Sequence, residues 1–344
     1  MVATPSLDGA GAPEGRYLLL GATGLVGSHA LRALAGRPGI EVRAAGHGRL
    51  PERLAANVSV HRLDLRVPGA AASILENVDF VLVFAGRVLS APVLAADPIG
   101  PVLDHHRLVA AALEASFRAR VRKTVWLSST TGYADRDEVL DEEHMFVGEP
   151  PAVWDLIGWT TRHLEALARG LSRRAAERRD DGGSRGTFVA LRPSLIYGAN
   201  DDFAPASAHF LPALVRRVVE RQNPIEVWGD GSERRDLVHA DDVVAAAFAA
   251  LRRVEGWDAF NVCAGHGHTV TEVLERILAI DGFGDARIEH VTGRPRTVRE
   301  RRLSNRRAAA LLGVSPSVDL ETGLRRTIEW YRANRGRGGA AADG

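Results

Sequence analysis

Gly21-Ala22-Thr23-Gly24-Leu25-Val26-Gly27 stands directly after the apolar run Tyr17–Leu20 and opens a helical pattern that continues to Leu34. A short apolar run, glycines spaced by three and then a helix mark a strand that hands over to a helix through a tight turn. Glycine permits that turn and lets backbone approach a pyrophosphate, whose charge then meets the amides at the helix N-terminus. The spacing is G-x-x-G-x-x-G rather than G-x-G-x-x-G, and a glycine-rich loop alone is a weak signal. Its surroundings therefore carry the reading.

Downstream, Ile40–Ala44, Ser59–His61, Asp79–Phe84, Thr124–Leu127 and Thr187–Arg192 are strand-length runs. Helix-period segments separate most of them, notably Asp104–Ala119 and Trp159–Arg169. This alternation predicts βαβ units and an α/β fold with a parallel, doubly wound sheet. Ser172–Gly186 is rich in Arg and Gly without an apolar face and reads as a surface loop. Beyond Arg192 the alternation turns irregular, with a helix near His209–Arg221, a strand near Ile225–Trp228, a helix from Asp241 and small elements from Thr269 to Ala333. That predicts a smaller, discontinuous C-terminal substrate lobe. The expected division is a disordered stretch 1–15, a main domain over 16–195 to which 236–265 returns, a lobe from 196–235 and 266–333, and a frayed tail 334–344.

The chain has 344 residues, Lys+Arg 44 against Asp+Glu 43, and a net charge of +1, which removes the electrostatic case for nucleic acid or an acidic membrane as main partner. A hydrophobic content of 45% excludes wholesale disorder. The longest apolar runs, such as Val78–Ala85 and Val243–Leu251, fall short of the roughly 18 residues that a membrane span needs. Met1–Gly15 lacks a basic-then-apolar signal pattern, so the expectation is a cytoplasmic protein. The one cysteine, Cys263, allows neither an internal disulfide nor a cysteine-based metal site, and no metal centre is expected. Lys123 is the only lysine, so any chemistry that needs an ammonium has one candidate.

Several further motifs fall in order along the chain: Asp64-Leu65, Phe84-Ala85-Gly86, Val125-Trp126-Leu127-Ser128-Ser129, and Leu191-Arg192-Pro193-Ser194-Leu195-Ile196-Tyr197-Gly198. Trp228-Gly229-Asp230-Gly231-Ser232-Glu233-Arg234-Arg235-Asp236-Leu237-Val238-His239-Ala240-Asp241-Asp242-Val243, Asn261-Val262 and Gly323-Leu324…Trp330-Tyr331 complete the set. With the glycine loop, residues 16–333 resemble the extended short-chain dehydrogenase/reductase family, whose main domain is a Rossmann fold. The resemblance implies a nicotinamide dinucleotide held by Gly21, Thr23, Gly24, Leu25, Val26 and Gly27. It also implies Asp64 and Leu65 at the adenine, Ala85 and Gly86 under the nicotinamide-side ribose, and Pro193 with Leu195 beside the nicotinamide. A homodimer through the helices near Asp104–Ala119 and Trp159–Arg169 is likewise implied.

An NAD-specific site needs an acid at the end of the second strand to accept from the ribose 2′-hydroxyl. Here Val42-Arg43-Ala44-Ala45-Gly46-His47-Gly48-Arg49 carries none. His47 and Arg49 would meet a 2′-phosphate instead, which favours NADPH and leaves NADH open. A solvated basic turn is the plain alternative.

The family works with a Ser or Thr, a Tyr, and a Lys four residues after that Tyr; the ammonium lowers the phenol's pKa. Ser129 stands at the serine position, where it would hold a carbonyl oxygen or merely satisfy backbone. The helix reads Ile157-Gly158-Trp159-Thr160-Thr161-Arg162-His163-Leu164-Glu165. Aligned through Gly158 and Glu165, Ile157 takes the Tyr position and Thr161 the Lys position, where it would keep the ribose contact. The tyrosines Tyr17, Tyr133, Tyr197 and Tyr331 are followed four residues later by Gly21, Asp137, Asp201 and Arg335, so no Tyr-x-x-x-Lys exists anywhere. His105, His106, His144 and His209 are substitute acids only if they are more than surface or capping residues.

This departure resembles atypical angucyclinone 7-ketoreductases of aromatic polyketide antibiotic biosynthesis. It implies NAD(P)H-dependent reduction of a polycyclic aromatic ketone, with the proton taken from water or from a phenol beside the ketone. Two alternatives stay open: an NADPH-binding sensor without turnover, and a sugar-nucleotide epimerase or dehydratase, for which Arg235 would remain in the lobe motif.

Overall fold

In the computed structural model the alternating runs close into one seven-stranded parallel sheet; the structure describes residues 11–46, 54–64, 67, 69–70, 72–87, 89–178, 186–291 and 300–335. The first half comprises β1 (Gly15–Leu20), α1 (Leu25–Leu34), β2 (Ile40–Ala45), β3 (Val58–His61), β4 (Phe80–Val83), α2 (Ala91–Ala96), α3 (Gly100–Arg118), β5 (Lys123–Leu127), α4 (Asp155–Glu177) and β6 (Thr187–Pro193). The second half comprises β7 (Leu195–Tyr197), α5 (Phe210–Val219), β8 (Ile225–Trp228), β9 (Arg234–His239), α6 (Ala240–Arg253), β10 (Trp257–Val262), β11 (Gly267–Thr269), α7 (Val270–Asp281), β12 (Ile288–Val291) and α8 (Leu320–Asn334).

The strand order is β3-β2-β1-β4-β5-β6-β10, all parallel. Both faces are covered. On β1, Tyr17 and Leu19 enter the core shared with Val26, Ala30 and Leu34 of α1 and Val243 and Ala247 of α6, while Leu18 and Leu20 enter the core shared with Val109 and Leu113 of α3 and Leu164 of α4. Burial on two sides is why these strands read as continuous apolar runs rather than as alternation. The order reverses between β1 and β4, so a crevice opens beyond their carboxyl ends, where the glycine loop sits.

The lobe holds the three-stranded sheet β11-β9-β7, the β8–β12 pair, and α5, α7 and α8 around a third core that includes Tyr197, Leu211, Val215, Ile277 and Leu324. The doubly wound sheet with a discontinuous lobe is thus present.

Two local expectations need correction. The loop expected over Ser172–Gly186 is helical through Glu177: Ser172 is small enough to be buried, Arg and Ala are good helix formers, and Arg174 pairs with Glu177 at 2.6 Å. Nor is the N-terminus disordered up to residue 15. Ala12 packs on the α1–α6 core, Tyr17 Oη donates to the Pro13 carbonyl at 2.6 Å, Arg252 donates to the Gly11 carbonyl, and β1 begins at Gly15. Residues 1–10 and 336–344 lie outside the described residues. Among the described residues no helix is long and apolar enough to cross a membrane.

Candidate active site

Packing requires two of the three loop glycines, and the third faces open space. Gly21 has φ +85°, and a Cβ there would lie 2.4 Å from the Ala85 amide nitrogen; on Gly27 it would lie 1.9 Å from the Gly21 carbonyl oxygen. The loop thus sits hard against Ala85, which brings together two segments that the sequence reading assigned to one ligand. A Cβ on Gly24 would meet nothing closer than the Gly21 oxygen at 3.5 Å. Gly24 caps α1 with no side-chain bond, and the first turn carries no acid, so a negatively charged group is free to approach the helix amides. Those features fit the diphosphate of a dinucleotide.

Of the other expected contacts, Asp64 lies half-buried beyond β3, and Gly86 lies against His105, whose Nδ1 would be 3.1 Å from a Cβ on it. Pro193 ends β6 beside β5, while Leu195 begins β7 and packs toward the lobe core. His47, Arg49 and Leu65 lie outside the described residues, and with them the feature that would choose between NADPH and NADH.

Past β5 the chain makes a short turn that carries two linked hydroxyls and reaches a third on α4. Ser129 Oγ accepts from the Thr131 amide at 3.1 Å and from Thr131 Oγ1 at 3.0 Å, and Thr131 Oγ1 stands 3.3 Å from Thr161 Oγ1 on α4. The packing supports the helix register: a Cβ on Gly158 would meet the Thr131 carbonyl at 2.8 Å, and one on Gly132 would meet Thr161 Cγ2 at 3.4 Å. Ile157 and Thr161 are both buried on this helix, Thr161 beside the turn. Thr131 is the member that sequence reasoning missed; its signal was the second hydroxyl after Ser129, but only the turn geometry directs it toward α4.

No tyrosine or lysine elsewhere fills the gap. Tyr17 and Tyr133 are fully buried, with their hydroxyls donated to Pro13 and to Asn261 Oδ1. Tyr197 lies in the lobe core against Gly323, and Tyr331 donates to Glu220. Burial first, and neighbouring acids after it, raise the phenols of Tyr133 and Tyr197. Lys123 is buried at the far end of β5, donates to the Val254 carbonyl at 2.7 Å and pairs with Glu255. Among the histidines, burial pushes His105 down to about 4, with His106 adding to it, so His105 is neutral at physiological pH. His106 pairs with His163 at 3.0 Å, His144 caps the turn begun by Asp141, and His209 stands at the start of α5 without a side-chain capping bond, its pKa lowered by burial.

A second loop covers the glycine loop from the lobe side. Asn200, at φ +64°, donates from Nδ2 to the Thr23 carbonyl at 2.8 Å. Next to it, Asp201 Oδ1 accepts from the Asp202 amide at 2.8 Å, while Oδ2 is buried without a partner among the described residues. Burial, reinforced by the charge of Asp202, pushes Asp201 up to about 7. The folded chain therefore keeps a proton that the unfolded chain releases near pH 4, and this stabilisation is lost as pH rises from about 4 through about 7. We expect Asp201→Asn to match the parent at pH 4 and to be more stable by about 1–3 kcal/mol at pH 8, since each tenfold weakening of the acid is worth about 1.4 kcal/mol before relaxation. Urea unfolding at both pH values checks this; equal gains at pH 4 and pH 8 would remove the buried-acid reading.

Among the described residues, His29, His239 and Asp241 are the one group with atoms close enough to ligate a metal ion. Asp241 is already compensated: His29 Nδ1 stands at 2.6 Å, Arg32 at 3.0 Å and Arg326 at 3.6 Å, so a cation would compete with two guanidiniums. The cluster ties α1 to α6.

The model of the NAD dependent epimerase/dehydratase family matches residues 17–263. Putative GDP-L-fucose synthase 2 of Arabidopsis thaliana is 34% identical over 150 residues, 42% of this chain and 45% of that protein, so the chain spans about half the length of that relative. The GDP-L-fucose synthase of Sinorhizobium fredii is 27% identical over 329 residues, 93% of this chain and 96% of that one. Among solved structures, MoeE5 in complex with UDP-glucuronic acid and NAD is 26% identical with a TM-score of 0.75, covering 93% of this chain and 100% of that one. With the match running from β1 to just past β10 and the crevice at the β1–β4 reversal, the chain belongs to the NAD dependent epimerase/dehydratase family.

Proposed function

We propose that this chain is an NAD(P)H-dependent ketoreductase in which no side chain of the enzyme donates the proton. The observation that carries the reading is the hydroxyl chain Ser129–Thr131–Thr161, with Ile157 where the family has its tyrosine. The bound dinucleotide would supply a hydride to the ketone carbon. This chain's residues position: Ser129, whose oxygen accepts from Thr131 Oγ1 and so leaves its own proton free, would donate to the carbonyl oxygen as charge develops there, and Thr161 would take the ribose contact without an ammonium. The oxygen's proton then comes from water or from an acidic hydroxyl of the substrate. Among the described residues no tyrosine hydroxyl is free to act as the base that oxidation of an alcohol would need, which weighs against an epimerase or dehydratase.

Two substrate classes follow from different observations. The similarity to the Sinorhizobium fredii GDP-L-fucose synthase runs over 93% of the chain, lobe included, and favours the ketone of a sugar nucleotide. The missing acid favours a polycyclic aromatic ketone of the angucyclinone type, whose neighbouring phenol already hydrogen-bonds the reacting oxygen. NADPH oxidation followed at 340 nm with the purified chain decides between them. The substrates are 4-keto-6-deoxy sugar nucleotides and aromatic ketones with and without an adjacent phenol. We expect oxidation with at least one class; tight NADPH binding with no oxidation across both would overturn the ketoreductase reading in favour of a sensor.

A further inference from the structure

The turn that carries the hydroxyls is gripped by two guanidiniums, neither ion-paired to a carboxylate among the described residues. Arg162, only 4% exposed, donates from Nε to the Gly132 carbonyl at 2.8 Å and from Nη1 to the Gly148 carbonyl at 2.7 Å. Arg301 arrives from the C-terminal segment and donates from Nη1 to the Thr130 carbonyl at 2.6 Å and from Nη2 to the Tyr133 carbonyl at 3.2 Å. Thr130 lies between Ser129 and Thr131, so the Arg301 guanidinium is held on the turn that carries these hydroxyls. Burial lowers the Arg301 pKa to about 10, with Asp135 opposing, which leaves a desolvated cation at neutral pH. A guanidinium has five N–H donors in a planar fork. Two are spent on carbonyls, and the charge itself is left without a counter-ion in contact among the described residues.

We propose that Arg301 is an anion-anchoring residue of this site, holding the acidic oxygen next to the substrate's ketone as an anion, formed when a phenol gives its proton to the nascent alkoxide or present from the start as a carboxylate. The inference rests on the ketoreductase reading and deepens it by naming the substrate class: a ketone flanked by an acidic oxygen. Such an oxygen can be a phenol of an aromatic ring system or a carboxylate on a sugar. In the phenol case the balance closes. Hydride adds to the carbonyl carbon, the resulting alkoxide takes the neighbouring phenol's proton, the phenolate stays against Arg301, and solvent returns a proton as product leaves. A cation next to that oxygen favours the ionised form, so the anchor assists the proton transfer that no enzyme side chain performs.

The test reads binding rather than turnover, with the full chain in the presence of NADP+. One arm compares 1,8-dihydroxyanthraquinone with its dimethyl ether, using the phenolate absorbance as a second signal. The other compares UDP-glucuronic acid with UDP-glucose by calorimetry. We expect the acidic member of one pair to bind about 10- to 100-fold tighter, the range of a charge-assisted hydrogen bond. Which pair responds identifies the source of the oxygen. Arg301→Gln should remove the preference while leaving the neutral member's affinity within about threefold, because a lost charged contact is specific to the anion. Arg301→Lys should keep part of the preference. Equal loss for both members would mean that Arg301 only clamps the turn, and the proposal fails; no preference in either pair with the parent chain also overturns it. If the glutamine variant does not fold, the lysine variant decides: an undiminished preference means that the bidentate fork is not the anchor. Failure of the ketoreductase reading would show separately, as absent NADPH oxidation with the binding preference intact.

Discussion

Replacing Glu165 by Ala is expected to cost about 4 kcal/mol of stability, within the range for stranding one partner of a buried ion pair. Glu165 is fully buried and Arg192 is 3% exposed. Arg192 donates from Nε and Nη2 to the two carboxylate oxygens at 2.9 and 2.6 Å, and Ser128 Oγ adds a bond at 2.5 Å. Arg192 Nη1 donates to Tyr133 Oη and to the Glu142 carbonyl, both at 2.9 Å, and Tyr133 donates onward to Asn261 at 2.7 Å. Removing the carboxylate leaves a guanidinium with no route to water. The network spans β5, α4, β6 and β10, so its loss also loosens the turn from which Ser129 and Thr131 project. Urea unfolding would measure the effect. A cost under about 1 kcal/mol, the value of an exposed pair, would mean that the pair is solvated in solution. The double replacement Glu165→Leu with Arg192→Met should recover much of the loss, because it leaves no buried charge unpaired, although Ser128 Oγ and the Glu142 carbonyl lose their partners.

Glu165 also shows what the sequence made legible. It served with Gly158 to align α4, and both have packing reasons to be there: at Gly158 a Cβ would strike Pro150 and the Thr131 carbonyl, and Glu165 pairs with Arg192. The sheet was legible because its central strands, such as β1 and β4, are apolar on both faces and amphipathic helices separate them, and the strand–glycine–helix passage at Gly21–Gly27 fixed where the crevice opens. Thr131, Asn200, Asp201 and Arg301 were not legible in that role. Each reaches the site from a turn or a distant segment, and what matters about it is a tertiary fact: a hydroxyl within 3.3 Å, a carbonyl capped across 177 residues, and, among the described residues, a carboxyl oxygen without a partner and a cation without a carboxylate. Helix α4 overran its expected end for a similar reason, since Ser172 counts as polar in a pattern yet is buried in the fold.

Adding one methyl group at each of two neighbouring glycines should separate what the loop does for the fold from what it does for a ligand. Gly27→Ala would place Cβ 1.9 Å from the Gly21 oxygen and 3.0 Å from Ala22 Cα, both backbone atoms that cannot step aside without moving α1 off β1. Overpacking of this kind typically costs about 1–3 kcal/mol and shifts backbone, so we expect reduced stability together with loss of dinucleotide binding. Gly24→Ala differs. Its nearest neighbour would be 3.5 Å away, an ordinary contact, and the residue already has an extended conformation open to any side chain at φ −80° and ψ 178°. Stability should therefore change by less than about 1 kcal/mol, since a glycine at a helix N-cap carries only a modest advantage over alanine. The methyl group would instead stand in the space through which a diphosphate approaches the α1 amides, and NADPH affinity should fall about 10- to 100-fold, the loss expected when a charged group is held off its hydrogen-bond donors. Fluorescence titration with NADPH alongside thermal unfolding separates the outcomes. If Gly24→Ala binds NADPH as tightly as the parent while Gly27→Ala does not, the loop's glycines serve packing alone, and the dinucleotide must be sought elsewhere in the crevice.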